Sequence, residues 1–211
     1  MYLIIGLGNP GGAYAKNRHN IGFMFIDALA GLLAAGPERK RFSSLVCEAE
    51  VVTPQGRVKA LLMKPQTFMN LSGNAVLEAA GFYKIKADHI VVFHDELDLA
   101  PGRFRVKLGG GHAGHNGLRS IISQIGPNFL RGRMGIGHPG DKALVHNYVL
   151  SDFTKADQNW VDALIAACAK ALPVLLGGER ELYQNEVMRL APAPRQTLPG
   201  LGSGTVQTPA H

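Results

Sequence analysis

The sequence predicts one α/β domain, built on a mixed, mostly parallel twisted sheet flanked by helices. Short apolar runs alternate with segments of helical period, as expected when helices cover a sheet. The length of 211 residues suffices for one well-packed domain. Hydrophobic residues make up 46% of the chain and charged residues 18%, a globular composition. We expect the domain to span residues 1–190, followed by a Pro- and Gly-rich flexible tail at 191–211.

The first half of the chain supplies three strands and two helices. The strands are predicted at 2–5, 45–52 and 57–63, and the helices from Asn20 onward and over 73–80. Ser72 is the predicted N-cap of the second helix, because a serine side chain can accept from the unpaired backbone N–H groups of the first turn. Gly81 is predicted to end that helix.

The second half adds three strands and two helices. The strands are predicted at 90–93, 103–108 and 131–137, and the helices at 116–123 and 157–176. Residues 90–93 are apolar throughout, which is typical of a central strand. Pro173 is expected to kink the end of the last helix, because proline cannot donate a backbone hydrogen bond.

The charge balance favours a polyanionic partner. The chain has 22 Lys and Arg against 16 Asp and Glu, giving a net charge of +6, which suits nucleic acid above all. Cys47 and Cys168 lie among apolar residues and are predicted to be buried free thiols in a reducing compartment. Neither a signal peptide nor an apolar run near the ~18 residues of a membrane span is evident. We therefore expect a cytoplasmic protein without a membrane partner.

The glycines at positions 6, 8 and 11 match the GxGxxG spacing of a dinucleotide-binding site, so an NAD- or FAD-dependent oxidoreductase is one alternative. In such a site a helix begins on the glycines and points its N-terminal amides at the pyrophosphate. Here Asn9-Pro10-Gly11-Gly12 favours a turn, and the helical period begins only near residue 20. Asp27 has the offset of a ribose-binding acid but lies inside the predicted helix. The context therefore disfavours a dinucleotide site.

Polar side chains follow two predicted strands at the point where each strand ends. Asn9 lies just past the first strand, and Asp95 just past the strand at 90–93. If the strands are parallel, both side chains project from the same edge of the sheet. His19 lies at the entrance to the first helix, within reach of that edge. Asn70, His115 and Asn116 lie in loops or helix starts that can close over it.

This set of residues indicates general base catalysis. A neutral imidazole can take a proton from water, while a carboxylate on its other nitrogen fixes the tautomer. Asparagine side chains can hold a carbonyl or an oxyanion without adding charge. No serine lies in a G-x-S-x-G elbow, and neither cysteine has the electropositive surroundings of a nucleophile. We therefore expect a directly activated water and no cofactor.

Two alternatives of other classes remain open at this point. His112 and His115, with His94, Asp95, Glu96 and Asp98 nearby in sequence, suggest a metal hydrolase. Metal-binding histidine pairs normally lie on a rigid element, whereas this pair lies in the glycine-rich segment 109–117, so we expect no metal. That segment is predicted to be a loop, either a plain surface loop or a lid beside a cleft. A non-catalytic RNA-binding module would need basic residues but no His–Asp pair, and ester turnover separates it from an enzyme.

Five ordered blocks together resemble the bacterial-type peptidyl-tRNA hydrolases and cover nearly all of the predicted domain. The blocks are residues 7–11 with Tyr14 and Arg18-His19-Asn20, 64–73, 95–98, 109–112 with 114–117, and 135–140. The resemblance implies a monomeric α/β enzyme without metal, which cleaves the ester between a peptide and the terminal ribose of tRNA. It departs from the family at Asn17, where threonine is usual, and this puts the local turn geometry in question.

The resemblance also implies residue roles. His19 would be the general base and Asp95 its partner. The substrate would be bound by Asn9, Asn70 and Asn116, with Tyr14, Met69 and His115 lining the cleft.

The basic residues of two predicted strands complete the expectations. Arg103, Arg105 and Lys107 alternate along one strand and so share a face, and Arg131 and Arg133 do the same on another. Charge runs are usually solvated faces, but five cations on two strands of a protein that binds tRNA favour a phosphate-binding face, which would include Arg131. We predict that Arg103, Arg105, Lys107 and Arg133 bind the tRNA backbone.

Overall fold

Seven strands form one sheet in the order β2-β3-β4-β1-β5-β7-β6, in a computed structural model that describes residues 1–194. The strands are β1 Tyr2–Gly6, β2 Arg39–Arg41, β3 Ser44–Thr53, β4 Gly56–Pro65, β5 Ile90–Glu96, β6 Phe104–Leu108 and β7 Leu130–Gly135. The central strands β4, β1, β5 and β7 are parallel, whereas β3 and β6 run antiparallel to their inner neighbours. The predicted mixed, mostly parallel sheet is confirmed.

Helices cover both faces of the sheet. They are α1 Ile21–Leu32, α2 Ser72–Tyr83, α3 Asn116–Ile125, α4 Val145–Val149, α5 Lys155–Leu176 and α6 Arg180–Leu190. Alternate residues of the central strands point to opposite faces, so Ile4 and Phe93 join the core under α1 and α5. Leu3 and Val92 join the core under α2 and α3. The sheet, including the carboxyl ends of β1 and β5, therefore lies between two apolar layers.

Helix α5 is long and apolar enough to cross a membrane by length and composition, and 56% of its most apolar window is buried inside the fold. Such burial is typical of the core helix of a soluble domain. The helix begins with a capping box between Thr154 and Asp157. It continues past Pro173 to Leu176, so the proline does not end it.

The predicted boundaries of α2 are wrong at both ends. A short 3-10 turn at Met69–Leu71 runs directly into the helix, and the Ser72 hydroxyl donates to the Met69 carbonyl instead of capping. The N–H of Gly73 is satisfied by Ser120 of α3. At the other end the helix passes Gly81, because Lys84 supplies the left-handed residue, at φ 53°, that ends it.

Three elements were not expected from the sequence. Strand β2 consists of three charged residues, and α4 is only five residues long, so neither carries a periodic apolar pattern. Helix α6 buries little more than Tyr183 and Val187, one turn apart. Ala191, assigned to the tail by sequence, is buried at 4% exposure. The remainder of the predicted tail, 195–211, lies outside the described residues.

Helix α1 approaches the sheet backbone to backbone. A Cβ on Gly6 would lie 2.0 Å from the Gly22 carbonyl oxygen, and a Cβ on Gly22 would lie 2.4 Å from the Leu7 nitrogen. Two 3-10 turns, Gly12–Tyr14 and Arg18–Asn20, separate β1 from this helix. The glycines after β1 therefore serve close packing and a turn, and no helix begins on them, in agreement with the argument against a dinucleotide site.

Candidate active site

The carboxyl ends of β1 and β5 lie side by side and open into a cleft of about 990 Å³. The register pairs Gly6 with Phe93, and the Leu7 N–H donates to the Phe93 carbonyl at 3.0 Å. Asn9 and Asp95 therefore line the same cleft, as the parallel strands predicted. Asp95 is the penultimate residue of β5 and is only 3% exposed.

The imidazole of His19 contacts Asp95. Its 3-10 turn lies just before α1 and places Nδ1 2.8 Å from Asp95 Oδ1. An ionised carboxylate can only accept, so Nδ1 carries the proton and donates. This tautomer leaves Nε2 as the acceptor, with no hydrogen bond to any described residue. The pairing expected from the sequence is present.

His115 is a second donor to the same carboxylate oxygen. Its Nε2 lies 3.0 Å from Asp95 Oδ1, while its Nδ1 accepts from the N–H groups of Gly117 and Leu118 at the start of α3. These backbone donors fix the tautomer with the proton on Nε2. The sequence indicated His115 only as a cleft residue, because nothing in its local pattern shows that it reaches a strand twenty positions earlier.

Charge in this cluster is set by burial and by the three polar groups together. Burial raises the pKa of Asp95, but the two imidazoles beside it more than offset this and hold its pKa well below the usual range. Burial lowers the pKa of His19, while the charge of Asp95 and its hydrogen bond raise it, and the balance is a raised pKa. Asp95 is therefore ionised, and His19 is a stronger base than a free imidazole.

Asn9 is held rigidly by its neighbours. The carboxamide of Asn20 accepts from the Asn9 N–H and donates to the Asn9 carbonyl, both at 2.9 Å. The Asn9 Oδ1 in turn accepts from the Met69 N–H at 2.9 Å. The Asn9 Nδ2 therefore remains available as a donor at the cleft. Sequence reasoning missed that Asn20 fixes the Asn9 backbone, although the place of Asn20 in the Arg18-His19-Asn20 motif was a signal.

The other predicted substrate-binding residues also line the cleft. Asn70 lies in the turn after β4, and Asn116 is the first residue of α3. Both are exposed, so their carboxamides are open to a ligand. Tyr14 is half-buried at the rim, and Met69 is buried at 5% exposure against the Gly117 backbone. The structure thus brings all eight predicted catalytic and substrate-binding residues to one cleft.

The histidines expected in a metal site lie near one another but do not bring their ligand atoms together as one set. His94 packs edge-on against the His115 ring at 5.1 Å and donates from Nδ1 to the Asp95 carbonyl, and its pKa is lowered to about 3, chiefly by burial. His112 accepts the Gly114 N–H within the loop. Within residues 1–194 the one group with clustered metal-type ligand atoms is His19, Asp95 and His115, whose atoms lie within 4.8 Å of one another. Those atoms already bond each other, so a metal would have to displace two N–H protons.

The glycine-rich loop is tied to the sheet by Arg131. The guanidinium of this residue, 2% exposed, donates to the carbonyls of Gly110, Gly111 and Pro127. The prediction that Arg131 shares a phosphate-binding face is therefore wrong. Strand alternation does place it beside Arg133, but the loop covers it, and a two-residue period cannot show what covers a face.

The remaining predicted tRNA-binding cations lie on or beside β6 and β7, the last two strands at one edge of the sheet. Arg105 and Lys107 are exposed on β6, and Arg103 lies just before that strand. Arg133 of β7 is the register partner of Arg105, but it is half-buried and its Nε lies 2.8 Å from Glu96 Oε2. The Arg133 charge is thus partly neutralised, whereas no ion pair involves the other three within the described chain.

The family model described as peptidyl-tRNA hydrolase matches residues 3–194. The chain belongs to the peptidyl-tRNA hydrolase family. Its members are hydrolases that act on the ester bond of peptidyl-tRNA, and the fold and activity implied by the sequence resemblance are confirmed.

Relatives support this membership over nearly the full chain. The peptidyl-tRNA hydrolase of Phenylobacterium zucineum is 60% identical over 193 residues, which cover 92% of each chain. That of Caulobacter vibrioides is 55% identical and covers 92% of this chain and 95% of its own. The solved structure of the peptidyl-tRNA hydrolase from Acinetobacter baumannii superposes with a TM-score of 0.82 at 40% identity, covering 89% of this chain and 94% of that one.

Proposed function

We propose that this peptidyl-tRNA hydrolase cleaves its ester with a water molecule that His19 activates. The observation that carries the proposal is the Nδ1–Oδ1 contact of 2.8 Å between His19 and Asp95, which leaves Nε2 as a base at the cleft. Nε2 takes a proton from water as the water oxygen attacks the ester carbonyl. The tetrahedral intermediate then collapses, the C–O bond to the ribose breaks, and the imidazolium returns its proton to the leaving ribose oxygen. Asp95 stabilises the imidazolium that forms and stays ionised itself.

The carboxamides around the base supply the rest of the chemistry. The Asn9 Nδ2 is a fixed donor, since Asn20 and Met69 hold the other polar atoms of that residue. A donor that needs no reorganisation suits the oxyanion of the tetrahedral intermediate. The exposed carboxamides of Asn70 and Asn116 bind the acyl amide and orient the water. Tyr14, Met69 and His115 shape the walls.

Productive binding of the tRNA involves Arg103, Arg105, Lys107 and Arg133 in this proposal. The exposed cations of β6 are without carboxylate partners in the described part of the chain, so their charge is available to phosphates. The enzyme works as a monomer in the cytoplasm, on tRNA carrying a peptide or an N-blocked aminoacyl group. Cleavage releases the free tRNA, which can then be used again in translation.

The deciding experiment follows ester cleavage of N-acetyl-aminoacyl-tRNA by the wild type and by His19→Ala. We expect kcat to fall by about 10²- to 10⁴-fold, the usual contribution of a positioned general base. Circular dichroism should be unchanged, because His19 lies in a short 3-10 turn at the cleft and belongs to neither of the two apolar layers that pack against the sheet. His89→Ala, which removes an exposed histidine paired with Asp88, is the matched control. A folded His19→Ala enzyme with near-normal kcat would contradict the proposal.

A further inference from the structure

The two edges of the sheet are finished in different ways. At the β6 edge, helix α6 covers the strand, and its Gln184 and Met188 accept the N–H groups of Val106 and Phe104. At the β2 edge, within residues 1–194, no helix or strand pairs with the outer side of Arg39–Arg41. This open edge ends in a cluster of cationic and aromatic side chains, which are exposed except for the half-buried Phe42. We call it the β2 patch: Arg39, Arg41, Phe42, Phe82 and Lys84.

The patch faces the same edge of the sheet as the active site. Strand β2 is antiparallel to β3, which is antiparallel to β4, so β2 runs in the direction of β4 and β1. Its last residue, Arg41, pairs with Ser44, and Ser44 pairs with Pro65 at the carboxyl end of β4. Three strand spacings separate β2 from β1, or about 14 Å. The patch therefore flanks the cleft on the side opposite β6.

Two neighbouring phenylalanine rings lie beside the Arg41 guanidinium. It lies 4.5 Å from the ring centroid of Phe42 and 4.1 Å from that of Phe82, which is 58% exposed, while these two centroids are 5.3 Å apart. One N–H group of Arg41 donates to the Tyr83 hydroxyl at 3.5 Å, the others are available to a phosphate, and the exposed Phe82 ring suits a nucleotide base. Neither Arg39 nor Arg41 forms an ion pair with a described carboxylate. The nearby Glu78 is bonded instead to the Ser43 hydroxyl.

We infer that the β2 patch is a second tRNA-binding surface, which contacts phosphates of the bound tRNA on the side of the cleft away from β6. Charge complementarity is what commits it to RNA, since the substrate is a polyanion and the patch carries three unneutralised cations. Edge strands often carry charges that only block pairing with other strands. That role does not require the Arg41 guanidinium to lie against two aromatic rings.

Strand alternation provides a matched control. Arg39 and Arg41 pair with Val46 and Ser44 on the face that α2 covers, whereas Lys40 pairs with Leu45 on the opposite face. The test compares Arg39→Ala/Arg41→Ala with Lys40→Ala, and with Lys170→Ala/Arg180→Ala, which removes two exposed cations from helices α5 and α6. Substrates are full-length N-acetyl-aminoacyl-tRNA and a minimal ester ending in CCA.

We expect the patch variant to raise KM for full-length tRNA about tenfold, and to lower the slope of log KM against log salt by about 0.7–0.9 for each lost phosphate contact. The minimal ester, which cannot reach the patch, should be cleaved as by wild type. Both control variants should behave as wild type on both substrates. An unchanged KM and slope, an equal effect in the Lys40 or helix variants, or an equal loss on the minimal ester would each overturn the inference. Cleavage of the minimal ester by wild type reports separately on the proposed chemistry.

Discussion

At the scale of single residues, Asp95 accepts from two imidazoles at once, yet only one of them can act as a base. The Nδ1 of His115 is occupied by the N–H groups of Gly117 and Leu118. The Nε2 of His19 has no such donor among the described residues. In the proposed mechanism His115 therefore orients Asp95 by a hydrogen bond, and the proton of the attacking water goes to His19.

The first residue-scale prediction concerns the pH profile. The charge and hydrogen bond of Asp95 raise the pKa of His19 above 6.5 against the lowering effect of burial. The basic form of His19 is lost as pH falls through that raised pKa, so kcat should decline on the acid side there. In Asp95→Asn only the lowering effect of burial is left, and the acid limb should move to lower pH, with kcat reduced about 10⁴-fold.

The measurement is kcat against pH for both enzymes on N-acetyl-aminoacyl-tRNA. Asp88→Asn is the control, since Asp88 pairs with His89 at 2.8 Å on the exposed surface. Its profile should match that of the wild type. An acid limb at the same pH in Asp95→Asn would mean that a group other than His19 titrates.

Local sequence was sufficient for the residues that follow the parallel strands. Asn9 and Asp95 could be placed because the end of a strand fixes where the next side chain projects. The second partner of Asp95 and the clamp of Asn20 on Asn9 could not, because each depends on a loop conformation that no periodicity encodes. Arg131 was misplaced for the same reason, as the loop that covers it is built from glycines with positive φ.

At the scale of elements, Arg18 joins the catalytic turn to the wall of the cleft. Its guanidinium donates to Ser151 Oγ at 2.7 Å, to the Asp152 carbonyl at 2.6 Å and to Asp157 at 3.1 Å. The ring of Tyr148 lies 4.6 Å from it. Asn17, the residue that departs from the family pattern, donates to Asp152 at 2.8 Å. The local turn at Asn17, where the family usually has threonine, is therefore stabilised by a hydrogen bond from the asparagine itself.

We predict that Asp157→Asn loosens this junction without unfolding the protein. One Asp157 oxygen accepts from Thr154 and Arg18 and the other from Trp160, whereas a carboxamide has only one accepting oxygen. The change therefore weakens the helix cap or the Trp160 contact and also removes the charge that faces a largely buried guanidinium, so the unfolding free energy should fall by about 1–3 kcal/mol. KM should rise, because Val149 and Leu150 of the same segment line the cleft. Urea denaturation and steady-state kinetics test both effects. Glu186→Gln, which breaks an exposed pair with Arg189, should change neither, and equal effects in the two variants would refute the prediction.

Elements with strong periodicity were predictable, and elements held by tertiary contacts were not. Strands β1 and β5 have continuous apolar runs, and α5 buries one face from Val161 to its end at Leu176. By contrast β2 exists because β3 offers it an edge, and α6 because Tyr183 fits under α5 and β6. Ser72 was misassigned because a 3-10 turn can precede a helix and provide its first carbonyls.

At the scale of the whole molecule, substitutions of the cations on β6 and β7 should affect the binding of tRNA but not the cleavage of the ester. Arg105→Ala and Lys107→Ala should each raise KM for full-length tRNA and lower the salt slope by about 1. Arg133→Ala should have a smaller effect, since Glu96 already neutralises part of that charge. A minimal ester ending in CCA should be cleaved normally. If the variants lose as much activity on that minimal ester as on full-length tRNA, these cations support the fold or the chemistry instead of tRNA binding.

The molecule is also predicted to work without a metal. The atoms of His19, Asp95 and His115 that could bind an ion already bond one another, so dialysis against EDTA should leave kcat and KM unchanged. Ester cleavage before and after dialysis, with and without added Zn²⁺, is the measurement. Activity that is lost on dialysis and restored by Zn²⁺ would establish a metal hydrolase instead.

We expect the Arg18 junction also to set the point in its own synthesis at which the enzyme becomes active. All proposed catalytic and substrate-binding side chains have been made once Asn116 is joined to the chain. The turn that holds His19, however, is fixed by partners at 151–157, and α1 packs on α5, which ends at Leu176. Domains emerge from the ribosome from the N-terminus onward. We therefore expect a nascent chain that stalls between Asn116 and Asp157 to contain the whole proposed catalytic set in an unassembled state and not to cleave the ester to its own tRNA.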